Sequence, residues 1–260
     1  MAMESDWQVI GAAVQGLSHQ KQDLPCQDAL KYDCLPGGIL LVALADGAGS
    51  AIHAELGAQA AVQASLDCLL TRLENDRPSE CCEWEELIWD SFQSARTALE
   101  QLAQEQDEPI RSFATTLTCL VATPQQLIVG QLGDGAVVAA GEDGSLHAVT
   151  TLQRGEYANE TNFLTQDQAL DLVAIQVLDE QVRALAVMSD GLTRLALKRP
   201  NNEPHAPFFK PLFAFVESSA SSNDPARAND ALVEFLNSPR VCERTDDDKT
   251  LVLALRSDCP

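Results

Sequence analysis

Apolar residues fall in short blocks separated by turn chemistry over most of this chain, and in an extended helical stripe over one stretch. Residues 7–14 (WQVIGAAV) are short and apolar enough for a strand, and residues 27–33 predict a second. Residues 38–45 (GILLVALA) form a continuous apolar run that ends in Asp46-Gly47-Ala48-Gly49-Ser50, a buried strand running into a turn. Ser50 is expected to cap a helix over 51–73, where Ile52, Leu56, Leu66, Leu69, Leu70 and Leu73 stand among many alanines. The clearest stripe lies at about 82–106: Trp84, Leu87, Ile88, Phe92, Ala95, Leu99 and Leu102 recur mostly three and four residues apart. Its aromatics are read as core packing. Two long helices in series with a short connection predict an antiparallel pair.

The texture then turns to β. Residues 115–122, 126–132, 135–140 and 145–150 are β-rich runs broken by Thr-Pro-Gln, Gly-Asp-Gly and Glu-Asp-Gly, which predicts an antiparallel meander. Two more strands are expected at 171–178 and 183–189. The Pro/Ser/Asn-rich stretch 199–226 reads as a loop with at most a short helix around Phe208–Val216. Residues 226–237 look helical, and 250–255 (TLVLAL) close the chain as a strand. Strands and helices are grouped rather than alternating, which means α+β with a mainly antiparallel sheet system. No repeat or linker divides the chain, so 1–260 is expected to be a single domain.

Composition narrows the function classes. The 260 residues carry 39 Asp and Glu against 17 Lys and Arg, a formal charge of −22, with 45% hydrophobic residues. That supports a sizeable core and excludes a surface dedicated to nucleic acid or anionic membrane, which needs clustered Lys and Arg. Glu4 and Asp6 stand where a signal peptide would carry basic residues, and the longest apolar run, Ile39 to Ala45, is far too short to span a bilayer. The eight cysteines form no C-x-x-C pair, and Cys119 lies inside an apolar run. Reduced thiols and a cytoplasmic location are expected.

Where the carboxylates fall changes the picture further. Asp46, Asp134 and Asp190 each stand at the end of an apolar run and each is followed by glycine; Asp246-Asp247-Asp248 precede the last strand, and Asp28 begins an early one. Asp143-Gly144 is explained as a plain turn. A carboxylate at the mouth of a buried strand is costly unless paired or bound to metal, and all-oxygen ligands suit Mg²⁺ or Mn²⁺ rather than zinc. Spacing alone does not show that these segments meet. A P-loop, an EF-hand, an H-E-x-x-H zinc motif and a G-x-S-x-G nucleophile elbow are all missing from the sequence.

Taken in order, Cys26-Gln27-Asp28-Ala29, Ala45-Asp46-Gly47-Ala48-Gly49, Ala114-Thr115-Thr116-Leu117, Gly133-Asp134-Gly135, Ser189-Asp190-Gly191-Leu192 and Asp247-Asp248-Lys249-Thr250 resemble the metal-dependent protein phosphatase 2C family. Gly16-x-Ser18-His19 ahead of Pro25-Cys26-Gln27-Asp28 is similar to a prokaryotic branch of it. The resemblance implies a four-layer α-β-β-α sandwich of two mainly antiparallel sheets flanked by antiparallel helix pairs. It also implies a protein serine/threonine phosphatase that hydrolyses phosphoserine or phosphothreonine through a metal-activated water, with two Mg²⁺ or Mn²⁺ ions and in some members a third. By that likeness Asp46 bridges two metals, the Gly47 carbonyl binds one, Asp190 and Asp247 ligate the other, and Asp134 helps the third. Asp28 would orient water on the metals.

Three departures qualify the resemblance. Gln27 stands where the family often has Glu, and Ala48 where many eukaryotic members have a leaving-group His. The upstream phosphate-binding Arg is replaced by an expanded segment offering His19 and Lys21 as candidates. An alternative is therefore a catalytically weak or inactive phosphatase-like module that binds phosphoproteins. The 199–226 loop is where a flap over the site is expected. The partner implied is a phosphorylated protein, favoured when basic residues flank its phosphate, because a chain this acidic repels anions at long range.

Overall fold

Two antiparallel five-stranded sheets lie face to face in the computed structural model, which describes residues 7–150, 161–220 and 225–257. In chain order the elements are β1 (Trp7–Val14), α1 (Leu17–Lys21), β2 (Asp28–Leu35), β3 (Ile39–Asp46), α2 (Ala54–Asn75), α3 (Cys81–Gln106), β4 (Leu117–Ala122) and β5 (Leu127–Leu132). They continue with β6 (Ala136–Ala140), β7 (Leu146–Ala148), β8 (Ala174–Leu178), β9 (Ala184–Met188), α4 (Asp190–Ala196), β10 (Leu197–Lys198) and β11 (Glu203–Pro204). Helices α5 (Ala206–Ala220), α6 (Pro225–Leu236) and α7 (Pro239–Cys242) precede the closing strand β12 (Lys249–Arg256). One sheet has the order β1-β12-β9-β6-β7 and the other β2-β3-β4-β5-β8, with β10 and β11 as a small separate pair.

The apolar runs are continuous because the central strands are covered on both faces. In β3, Leu40, Val42 and Leu44 point into the layer between the sheets, while Leu41, Ala43 and Ala45 point at the helices. In β12, Val252 and Ala254 face the same inter-sheet layer, while Leu251, Leu253 and Leu255 face the other helical layer. Helices α2 and α3 cover the β3 sheet with Leu66, Leu69, Leu87, Ile88, Phe92 and Leu99. Phe209, Leu212 and Val216 of α5 and Leu232 of α6 cover the β12 sheet. The outcome is the four-layer α-β-β-α sandwich. Each fully buried Leu or Phe in these layers contributes about 1.5–3 kcal/mol.

Four expectations are corrected. The runs at 115–150 are not one meander: β4 and β5 pair in one sheet, whereas β6 and β7 pair in the other, so the chain changes sheets at Gly133-Asp134-Gly135. Ser50 does not cap α2. The helix starts at Ala54 because Ala48 N–H and His53 N–H donate to Ala114 O and Ser112 O, which holds the intervening backbone out of helical geometry. The 199–226 stretch carries a 15-residue helix, α5, rather than a loop with a short turn. Pro211 removes one intrahelical bond there, but burying Phe209, Leu212 and Val216 on the sheet outweighs that loss. Among the described residues of that stretch, α5 lies over the outer face of the β12 sheet and forms no flap; residues 221–224 lie outside the described residues.

The seven cysteines among the described residues are all free thiols. No helix among the described residues is long and apolar enough to cross a membrane.

Candidate active site

Strand register places the first two carboxylates together. In the β2–β3 pair Asp28 stands directly opposite Asp46, and both share the parity of the residues that face the inter-sheet layer. Like charges directly opposite each other destabilise a sheet unless something compensates. Asp134 arrives from the turn between β5 and β6, where the chain changes sheets, and Asp190 from the first residue of α4, just beyond β9. Asp247 lies two residues before β12. Asp46, Gly47, Asp134, Asp190 and Asp247 line one cleft of about 200 Å³, together with His19, Ala48, Gly49, Thr116, Thr161 and Phe163. Among the described residues no Lys or Arg lines it.

Backbone bonds fix the centre of this cleft. Asp46 N–H donates to Thr116 Oγ1 at 2.9 Å, while Thr116 N–H and Thr115 Oγ1 donate to Asp46 O at 2.8 and 3.0 Å. The Thr115-Thr116 pair thus clamps the residue that carries the central carboxylate. Gly47 N–H donates to Gln27 O, tying the turn to the start of β2.

Asp28 sits deeper. Thr250 Oγ1 donates to its Oδ2 at 2.7 Å, whereas its Oδ1 is buried with no hydrogen-bond partner. The Gln27 Oε1 nearby is likewise buried and unpartnered.

Electrostatics match the geometry. Burial, foremost, pushes the Asp28 carboxyl up to about 7 against hydrogen bonds from Thr250 and Ser189 that pull it down. Asp46 moves well above the ordinary carboxylate range, first by burial and then by the charges of Asp28 and Asp190. Asp190 rises to about 6 through burial and the neighbouring Asp134 and Asp247, and it is hydrogen-bonded to Asp46. Asp134 also rises, by burial, although Thr161 Oγ1 donates to its Oδ2 at 2.9 Å. These groups bind protons tightly because burial and their mutual repulsion outweigh the opposing charge of Arg194 on Asp190.

A divalent cation fits this donor set. Among the described residues no three His, Cys, Asp or Glu side chains close into a ready-made metal cage. The carboxylates stand around the cleft instead, an arrangement suited to Mg²⁺, which keeps several waters and takes only one or two carboxylates. The all-oxygen set, the lack of a lining Lys or Arg among the described residues and the unpartnered Asp28 Oδ1 all favour a hard cation.

Adjacent residues in the acidic triplet do opposite things. Asp247 is exposed and lines the cleft, while Asp248 is 3% exposed and points inward. Asp248 Oδ1 accepts from Gly16 N–H at 2.6 Å, and its Oδ2 from Gln27 N–H at 2.6 Å and His19 Nδ1 at 2.9 Å. A carboxylate only accepts, so the Nδ1 proton is on His19 and its Nε2 is left to face the cleft. Two glycines permit this contact. A Cβ at Gly16 would lie 2.3 Å from the Asp247 carbonyl carbon, and one at Gly191 would lie 1.9 Å from Asp248 O.

Among the two candidate phosphate ligands, His19 lines the cleft, whereas Lys21 is exposed at the end of α1 and does not. The segment beside the cleft mouth is Thr161–Phe163 rather than 199–226. It is held by Leu164 N–H on Thr115 O and by Arg96 Nη1 on the carbonyls of Leu164 and Gln166. Thr161, Phe163 and the inward role of Asp248 left no sign in the sequence, because their partners are backbone groups or residues far along the chain.

Comparison with known proteins agrees with this geometry. The family model for protein phosphatase 2C matches residues 15–237. The chain belongs to the protein phosphatase 2C family. This phosphatase is 35% identical over 255 residues to Serine/threonine-protein phosphatase 3 of Escherichia coli (strain K12), covering 96% of this chain and 98% of that one. Its fold is shared by the serine/threonine phosphatase Stp1 from Staphylococcus aureus, with TM-score 0.67 at 16% identity over 99% of this chain and 98% of that one. The Mycobacterium tuberculosis serine/threonine phosphatase PstP/Ppp aligns with TM-score 0.61 at 16% identity, over 97% and 99% of the two chains. RsbX, solved in complex with magnesium, aligns with TM-score 0.52 at 14% identity over 96% of each chain. The chain is thus a protein phosphatase, an enzyme of a metal-dependent family whose substrates are phosphoproteins.

Proposed function

We propose that this phosphatase hydrolyses phosphoserine and phosphothreonine in proteins, using two divalent cations held by Asp46, the Gly47 carbonyl, Asp190 and Asp247, with Asp134 available to a third. The observation that carries the reading is the ring of carboxylates around a cleft that, among the described residues, no Lys or Arg lines. The name of the E. coli relative supports the substrate class, and the magnesium in RsbX supports the cation class. The family match over 15–237 supports reading 1–260 as one phosphatase domain.

When bound, Mg²⁺ or Mn²⁺ supplies the acidity that makes water nucleophilic at neutral pH and the positive charge that phosphate oxygens require. The chain's own groups do the positioning. Asp28 is anchored through Oδ2 by Thr250, which leaves Oδ1 to accept a hydrogen bond from the attacking water. His19, held through Nδ1–H by Asp248, would donate from Nε2 to a phosphate oxygen as an imidazolium. Phe163 and Thr161 border the path of the incoming phosphopeptide. No Cys or Ser lines the cleft among the described residues, consistent with direct attack by water and no covalent phosphoenzyme.

The test is Mn²⁺-dependent hydrolysis of p-nitrophenyl phosphate and of phosphoserine and phosphothreonine peptides, with Asp190→Ala beside the unmutated chain. Turnover that requires the cation and is lost in the variant is expected. A folded protein that binds phosphopeptides without turning them over under any divalent cation would make it a non-catalytic phosphoprotein-binding module instead.

A further inference from the structure

A second cavity, of about 860 Å³, lies among α4, β10, α5, α6 and α7, and shares no lining residue with the carboxylate cleft. Its charge inverts that of the molecule. Five of the chain's 17 Lys and Arg line it, namely Arg194, Lys198, Arg199, Arg240 and Arg244, and none of the 39 Asp and Glu does. Glu203 and Glu243 lie close in sequence but outside the lining. The cationic side chains are exposed and take part in no salt bridge among the described residues, with Arg194 also under the field of Asp190. A basic cluster that forms no salt bridge among the described residues, in a chain of charge −22, suits an external anion.

The wall behind these cations is apolar. Phe208, Leu212, Phe215, Leu232 and Phe235 line it, and the rings of Phe208 and Phe235 stand 6.2 Å apart. Leu212 and Leu232 also belong to the core over the β12 sheet, so the floor is anchored in the packed interior. His205 lines the cavity too, and its Nδ1 is buried with no hydrogen-bond partner. A buried polar atom of that kind costs free energy unless a ligand completes it. The cavity also lies within the size range of sites that enclose small organic ligands, a few hundred to about 1,000 Å³.

We propose that this cavity binds a small amphiphilic anion: an apolar chain or ring system lodged against Phe208, Phe215 and Phe235, carrying a phosphate or carboxylate that meets the arginine rim. Arginine suits such a group because its planar fork bonds two oxygens at once. The site stands on α4 as the carboxylate cleft does, with Asp190 at one end of that helix and Arg194 and Leu195 in the cavity wall. It does not depend on the reaction assigned to the cleft.

Calorimetry with the full chain and monomeric dodecyl phosphate, below its micelle concentration, tests the assignment. One site per chain is expected, with dodecyltrimethylammonium and inorganic phosphate each bound at least about tenfold more weakly. The exposed-site variant Arg199→Glu/Arg240→Glu should weaken binding by at least about tenfold, and Phe235→Ala should weaken it in proportion to the lost tail contact. Hydrogen exchange on the unmutated chain should show protection confined to 194–199, 205–215 and 231–244, which keeps the test independent of any variant's folding. Equal affinity for the cationic amphiphile, protection elsewhere, or binding unchanged in the double variant would overturn the proposal. So would an acidic amphipathic peptide binding where dodecyl phosphate does not, or a dimer that the double variant dissolves, since either makes the cavity a protein-docking surface.

Discussion

Thr250 Oγ1 donates a 2.7 Å hydrogen bond to Asp28 Oδ2, and that bond crosses from one β-sheet to the other. Thr250 begins the apolar face of β12 that meets the inter-sheet layer, and Asp28 opens β2 on the same layer. The contact therefore fixes both the alignment of the two sheets at the cleft end and the rotamer of the innermost carboxylate. Thr250→Val keeps the shape and removes the donor, leaving a buried carboxyl oxygen short of a partner. Unfolding in urea should show a loss of about 1–3 kcal/mol. An unchanged midpoint would mean the hydrogen bond contributes nothing to sheet alignment.

The raised carboxyls set a pH dependence with a definite sign. Asp28 is held up to about 7 and Asp190 to about 6, in both cases chiefly by burial, and Asp46 moves the same way. In the unfolded chain such groups ionise near about 4, so between these values the folded state holds more protons than the unfolded state. The stability they contribute to the metal-free protein is complete below the unfolded value and is lost as pH rises through 6 and 7. Urea midpoints measured without metal should fall over this interval, and saturating Mg²⁺ should flatten the slope by holding the carboxylates ionised. A metal-free midpoint that climbs over the same interval contradicts this.

Asp247 and Asp248 should separate cleanly. Asp248→Ala strands His19 Nδ1 and two backbone N–H groups in the interior, a loss of about 2–5 kcal/mol whether or not metal is present. Asp247→Ala removes an exposed cleft side chain, so the metal-free melting temperature should stay near that of the unmutated chain. Its shift on adding Mn²⁺ should shrink, given that a ligand at about 100 times its Kd stabilises by about 2.7 kcal/mol. Thermal melts of both variants with and without Mn²⁺ read the difference.

His19 and Lys21 are two residues apart, yet only His19 reaches the cleft. His19→Ala should raise KM for phosphopeptides by about tenfold, the worth of one hydrogen bond to a charged group, with a smaller effect on kcat. Lys21→Ala should change neither by more than about twofold at 0.15 M salt, since an exposed charge that does not line the cleft acts only through screening solvent. Steady-state kinetics on one phosphothreonine peptide distinguish the two, and a larger effect from Lys21 would move the phosphate site.

The sequence by itself determined the elements. The stripe from Trp84 to Leu102 became α3, and the apolar runs at 38–45 and 250–255 became β3 and β12, because a strand covered on both faces is mostly apolar on both. It also marked Asp46, Asp134 and Asp190, since a carboxylate followed by glycine at the end of such a run is conspicuous without knowing its neighbours. The tertiary structure decided what adjacency along the chain does not encode. Beyond Gly133-Asp134-Gly135 the next hairpin joins the other sheet, and register sets Asp28 opposite Asp46. Within Asp247-Asp248 one side chain faces solvent and its neighbour turns to backbone donors 221 and 232 residues away. The arginine-rimmed cavity is equally invisible in the sequence, because its cations are scattered from 194 to 244 amid a strongly acidic chain. Periodicity reports which face of an element is buried. Which faces and ends then meet depends on the summed packing of two sheets and two helical layers.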